Sequence, residues 1–139
     1  MTDTEYWSLT NHHKYLFMTS QLLIVSAVYG YNNSIQLWIF PAGVYLNSIN
    51  YWRKPGPGWR RNLDITYGIH GLIYQHMAAY YLPIFPTWYY LFSFLSVLAY
   101  PASCWFLWRK QYIMSTFLHS LIHLFGNLAN IVLYSHFIT

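Results

Sequence analysis

The chain has 139 residues, of which 7% are charged and 22% aromatic, with a formal net charge of +4. An ordinary soluble domain carries about 25% charged residues, and seven basic plus three acidic side chains do not cover such a surface. The length allows one domain, so the composition reads as an all-α integral membrane protein, a single transmembrane domain over residues 1–139.

The first stretch, Met1 to His13, is polar and contains Asp3 and Glu5. It lacks the basic start and apolar core of a cleavable signal. His12 and His13 there, and His136 near the other end, are expected at the membrane interface. A spanning helix needs about 20 largely apolar residues, and five stretches qualify: 14–31, 35–52, 63–82, 86–108 and 112–138. The first ends at Gly30 and Asn32-Asn33, and the second tolerates Pro41 and Gly43. The basic hairpin from Arg53 to Asn62 follows, with Pro55-Gly56-Pro57-Gly58 at its turn. The third span closes before Pro83, Pro86 opens the fourth where a proline loses no hydrogen bond, and Arg109-Lys110-Gln111 precedes the fifth. Cys104 is the sole cysteine, so no disulfide forms within the chain.

Charge sets the direction of these passes. With the hairpin in the cytoplasm, alternation brings Lys14, Arg109 and Lys110 to the same side. The other side, with 31–34, 82–86 and Thr139, holds no Lys or Arg. The positive-inside rule therefore predicts a cytoplasmic N-terminus and a C-terminus on the opposite side. Asn32-Asn33-Ser34 is formally a glycosylation sequon on the outer side, close to the membrane. Cations confined to short loops fit anionic headgroups rather than nucleic acid, so the expected partners are membrane lipids and other membrane subunits.

Inside the spans the conspicuous polar residues are Ser48, Asp64, His70, His76, His119 and His123. At about 1.5 Å of rise per residue, Ser48, Asp64, His70 and His119 fall in the cytoplasmic third of the bilayer. His123 follows His119 by four, so both imidazoles project from one helix face, the spacing that lets two ligands grip one metal ion. Plain structural roles exist for each: Ser48 bonding its own backbone, Asp64 capping its helix or pairing with Arg60 or Arg61, the histidines bonding neighbouring helices. Convergence of costly ionisable groups at one depth argues for a site.

Ser48-x-x-x-Trp52, Leu63-Asp64 opening a helix, and His119-Ser120-Leu121-Ile122-His123 in the last helix together resemble the CREST superfamily of membrane hydrolases. That group includes the alkaline ceramidases and the adiponectin/progestin receptors. The resemblance covers about half the chain. It implies a zinc held by three histidines near the cytoplasmic face, a Ser and an Asp that handle the metal-bound water, and lipid-amide hydrolysis. Ser48 and Asp64 match the catalytic pair, and His119 and His123 match two metal ligands. Two departures stand out. Trp52 occupies the place of the first His ligand, and the family has seven spans rather than five. His70 is the replacement ligand at the right depth, although six positions from Asp64 is about 120° round the helix.

Three functions follow as alternatives: a degenerate, non-catalytic relative or a subunit of a membrane assembly; a zinc-dependent hydrolase of lipid amides or esters; and a protein holding a b-type haem between His76 and His123.

Overall fold

The computed structural model describes residues 3–33 and 35–138, with residues 3–8 as backbone only. Ser34 of the sequon and Thr139 lie outside the described residues. Among the described residues every regular element is helical: α1 (Asp3–Ser20), α2 (Leu23–Asn32), a 3₁₀ turn at Gln36–Trp38, α3 (Ile39–Trp52), α4 (Trp59–Tyr80), α5 (Thr87–Trp108) and α6 (Tyr112–Ser135). They form five helical passes, the first broken between α1 and α2. Of the six α-helices, α5 and α6 are long and apolar enough to cross a membrane by length and composition.

The first pass begins at Asp3, well before the expected Lys14. Polarity ends a membrane span but does not end a helix, and no Gly or Pro interrupts the chain before Gly30. Its break at Gln21-Leu22 has a local cause. The Phe17 carbonyl accepts from both the Ser20 hydroxyl (2.7 Å) and the Gln21 side-chain amide (3.1 Å). The Thr19 hydroxyl donates to Leu16 O at 3.3 Å. Side chains thus occupy the carbonyls that backbone amides would use. The amides of Gln21 and Leu22 turn instead to Met18 and Thr19, three residues back.

Pro41 proves no irregularity, because it lies in the first turn of α3, where amides have no helical partner. Gly58, with φ of 131°, supplies the bend from which α4 starts at Trp59. Asp64 therefore sits in the second turn and does not cap the helix. Pro101 falls inside α5 and removes one backbone bond there. The tight α5–α6 turn is a Schellman closure: Gln111 N–H donates to Phe106 O and Lys110 N–H to Leu107 O, both at 2.9 Å. Lys110 takes the left-handed position, φ 58°, usually given to glycine.

Cross-helix bonds fix the direction of each pass. His12 meets Thr116, Thr19 meets His123, and Ser26 N–H donates to Asn127 Oδ1, so the first pass runs parallel to α6. Trp52 meets His119 edge-on while Tyr134 Oη donates to Leu37 O, so α3 runs antiparallel. Ser48 donates to Asp64 and Tyr67 Oη to Ile39 O, so α4 runs antiparallel to α3. Ser96 donates to Ile122 O and Ser103 to Ser115 O, so α5 runs antiparallel to α6. Strict alternation places Arg53, Lys54, Arg60, Arg61, Arg109 and Lys110 at one end, with Lys14 just inside it.

Many interior positions are small or polar, while much of the exterior is large and apolar. Buried positions include Ser20, Ser26, Ser48, Ser93, Ser103 and Ser115, with Ala27, Ala79, Ala99 and Ala129. On α5, Ser93, Ser96, Ala99 and Ser103 recur at helical spacing and form a small-residue seam against α6. Exposed side chains include Leu46, Ile73, Met77, Trp88, Phe94 and Phe117. At the end away from the cations, Ile35, Ala79, Tyr89, Ala129, Leu133 and Tyr134 make one apolar cluster.

Candidate functional site

Ser48 lies one turn before the end of α3 and faces the bundle interior. Its hydroxyl donates to Asp64 Oδ1 at 2.7 Å, across the α3–α4 contact. The sequence expectation that these two share a depth is met, and they form a direct pair. Asp64 is the one acidic residue after Glu5.

His119 and His123 project from one face of α6, with ring centroids 5.3 Å apart and planes at 78°. The Nδ1 of His123 lies 3.1 Å from Thr19 Oγ1, and that of His119 lies 3.4 Å from Ser103 Oγ. Ser103 and Ser115 are themselves mutually bonded across the α5–α6 seam. Both imidazoles are thus oriented through Nδ1 by hydroxyls of neighbouring helices.

Trp52 joins the two pairs. It lies four residues after Ser48, on the same face of α3, and its ring meets His119 edge-on with centroids 5.2 Å apart. The indole is buried, 7% exposed, and its Nε1 has no hydrogen-bond partner. No hydrogen bond runs between the Ser48–Asp64 pair and the two histidines among the described residues.

Two expected residues stand elsewhere. His70 is exposed on α4 and its Nδ1 bonds the Thr66 carbonyl at 2.7 Å. It does not join the cluster, because its helix turns it away from the face that carries Asp64. His76 bonds Tyr89 Oη at 2.8 Å and Leu72 O at 2.9 Å. The neighbouring Gln75 reaches Tyr134, eleven residues along α6 from His123, or about 16 Å of rise. His76 and His123 therefore do not share a depth, and the haem expectation loses its geometry.

The sequence reading places His12 at the interface. The structure buries it, 2% exposed, with Nδ1 2.6 Å from Thr116 Oγ1 and its ring 6.1 Å from that of Trp52. Burial, with His13 beside it, pushes its pKa down from 6.5 to about 4, so the imidazole is neutral at pH 7. Burial lowers His13 as well. The signal that was available is a His-His pair five and more residues inside a helix without breakers; what hid it is a contact across 104 residues of sequence.

Among the described residues, no three His, Cys, Asp or Glu side chains stand together as a metal ion requires. The chain was compared with models of known families, with curated proteins and with solved structures, and none matches.

Proposed function

We propose that this chain is an integral membrane protein of five spans, N-terminus cytoplasmic and C-terminus opposite, that keeps a CREST-like frame and performs no hydrolysis. It acts as an accessory subunit of a membrane assembly. Support for embedding comes from the inverted distribution of side chains. Large apolar residues stand on the outside of every pass from α2 to α6, a distribution that soluble monomers rarely show, while serines and alanines fill contacts between helices. The gathering of cations at one end supports the orientation.

One observation carries the non-catalytic reading: an indole fills the corner where a third imidazole would complete a metal site, and it packs on His119 at 5.2 Å. An indole N–H donates and has no lone pair to give a metal. Zinc in catalytic sites takes three protein ligands and keeps a fourth position open. His119 and His123 supply two, and His70 points away. The residues present do not fit the ion.

The zinc-dependent lipid amide or ester hydrolase is the second reading, and the 2.7 Å Ser48–Asp64 bond favours it. In that reading Asp64 is the general base and Ser48 orients the water. Metal analysis of detergent-purified protein separates the two. Substoichiometric zinc, indifferent to a His119→Ala/His123→Ala double substitution, is expected. One zinc per chain, lost in the double variant, would establish the hydrolase reading instead. Single cysteines placed at Lys54 and Pro83 in a Cys104→Ser background test the spans: an impermeant thiol reagent should reach them from opposite sides.

A further inference from the structure

A groove of about 420 Å³ opens between the first pass and the end of α3, lined by Thr10, His13, Lys14, Phe17, Trp52, Arg53 and Pro55. The four residues from α1 fall at i, i+3, i+4 and i+7, one face of the helix. Their order grades the groove. Thr10, His13 and Lys14 stand at its cationic mouth beside Arg53, and Phe17 lies about a turn deeper, toward the hydrocarbon. Trp52 and Pro55 supply an apolar wall.

The charge of this mouth has no counterpart within the described residues. Lys14 makes no ion pair there, and Arg53 Nη2 donates to the neutral Asn50 Oδ1 at 3.1 Å. Asp64, the carboxylate nearest to Arg53 in sequence, is bonded to Ser48. Arg60 and Arg109 lean on the rings of Trp59 and Trp105. Histidine adds no charge at neutral pH, since burial lowers the pKa of His13. Two fixed cations thus flank a slot that is polar at one end and apolar at the other.

We propose that this groove binds the headgroup of an anionic phospholipid from the leaflet at the cationic end. The lipid phosphate sits between Lys14 and Arg53, His13 offers a hydrogen bond, and an acyl chain leaves along Phe17. Arg53 suits a phosphate because its guanidinium presents paired donors, and Lys14 adds a point charge. A zwitterionic lipid has the same phosphate, but its ammonium cancels the charge, whereas phosphatidylserine adds a carboxylate and keeps a net charge of about −1 for the two cations to attract. The proposal rests on the membrane reading above but not on the state of the metal corner, so the two fail separately.

Full-length protein in mixed micelles, titrated with phosphatidylserine, phosphatidylcholine or inorganic phosphate, provides the test. Bound lipid per chain is counted by native mass spectrometry, and Trp fluorescence follows the titration. One phosphatidylserine per chain is expected, bound more tightly than phosphatidylcholine, with inorganic phosphate failing to compete at equal concentration. A Lys14→Gln/Arg53→Gln double variant should bind about 30-fold more weakly, each interfacial cation contributing roughly fivefold. An Arg109→Gln/Lys110→Gln variant removes equal charge from the same end and should lose about threefold or less if binding is local. Should the first double variant not fold, Lys14→Gln alone carries the comparison. Equal losses in both variants, equal binding of the two lipids, or capture of free phosphate as tightly as of lipid would each overturn the site.

Discussion

The two ends of this bundle are built on opposite terms. Away from the cations, hydrogen bonds and close contacts are complete. Tyr134 Oη donates to Leu37 O at 3.0 Å and accepts from Gln75 at 3.3 Å. Tyr89 pairs with His76, and Gly30 lets α2 approach Trp38 and Tyr134 so closely that a side chain would overlap them. At the cationic end the polar groups bond in separate pairs, Ser48 to Asp64, His119 to Ser103, His123 to Thr19 and His12 to Thr116, around an indole donor left unpaired. The first end holds the helices in register. The second is where the proposed function places its site, since sites are expected where residues break the rules that stabilise the rest.

Breaking the closed end should cost most. Gly30→Val places a branched side chain where a Cβ alone would lie 2.9 Å from Trp38 Cβ and 3.0 Å from the Tyr134 ring. A loss of about 3 kcal/mol, at the upper range for overpacking, is expected in thermal unfolding of the micelle-solubilised protein. At the open end, Ser48→Ala removes one bond and leaves the half-buried Asp64 carboxyl without that donor. That should cost about 1.5 kcal/mol by the same measurement, half the effect of the glycine change.

Acid should act on the open end alone. His12 has a folded pKa of about 4 against 6.5 unfolded. The unfolded chain therefore binds the proton first, and stability is whole above pH 6.5 and falls as pH drops toward 4. The loss at pH 5 should be roughly 1 kcal/mol once solvent screening is allowed for. His12→Gln should remove that share of the loss and leave the smaller share of His13, whose pKa burial also lowers, measured as the difference in unfolding between pH 7.5 and pH 5. The smallest change is a gain. Lys110→Gly relieves a left-handed lysine at the α5–α6 turn and should add up to about 1 kcal/mol.

The same division governs what was legible in the sequence. Apolar runs and their Gly, Pro and cationic punctuation located α3 to α6 within a few residues. Depth arithmetic brought Ser48 to Asp64, and the i, i+4 spacing put His119 beside His123. Helical angle also warned against His70, which six positions set off the face of Asp64. What remained hidden is non-local. The burial of His12 depends on the first pass packing directly against α6, a choice of neighbour that no short-range pattern encodes. The break at Gln21-Leu22 depends on three adjacent side chains turning back onto Leu16 and Phe17. Such polar residues occur within unbroken helices as well. Trp52 was visible as a missing ligand, but its packing against His119 was visible only in the fold.

The central claim is that the metal corner is intact in outline and filled by an indole. Zinc content of purified Trp52→His protein, measured beside the wild type, tests it most directly. The account predicts no stoichiometric zinc in the wild type and one zinc per chain in the variant, held by the introduced imidazole together with His119 and His123. A variant that folds and takes up no zinc, or a wild type that already carries one, would contradict it.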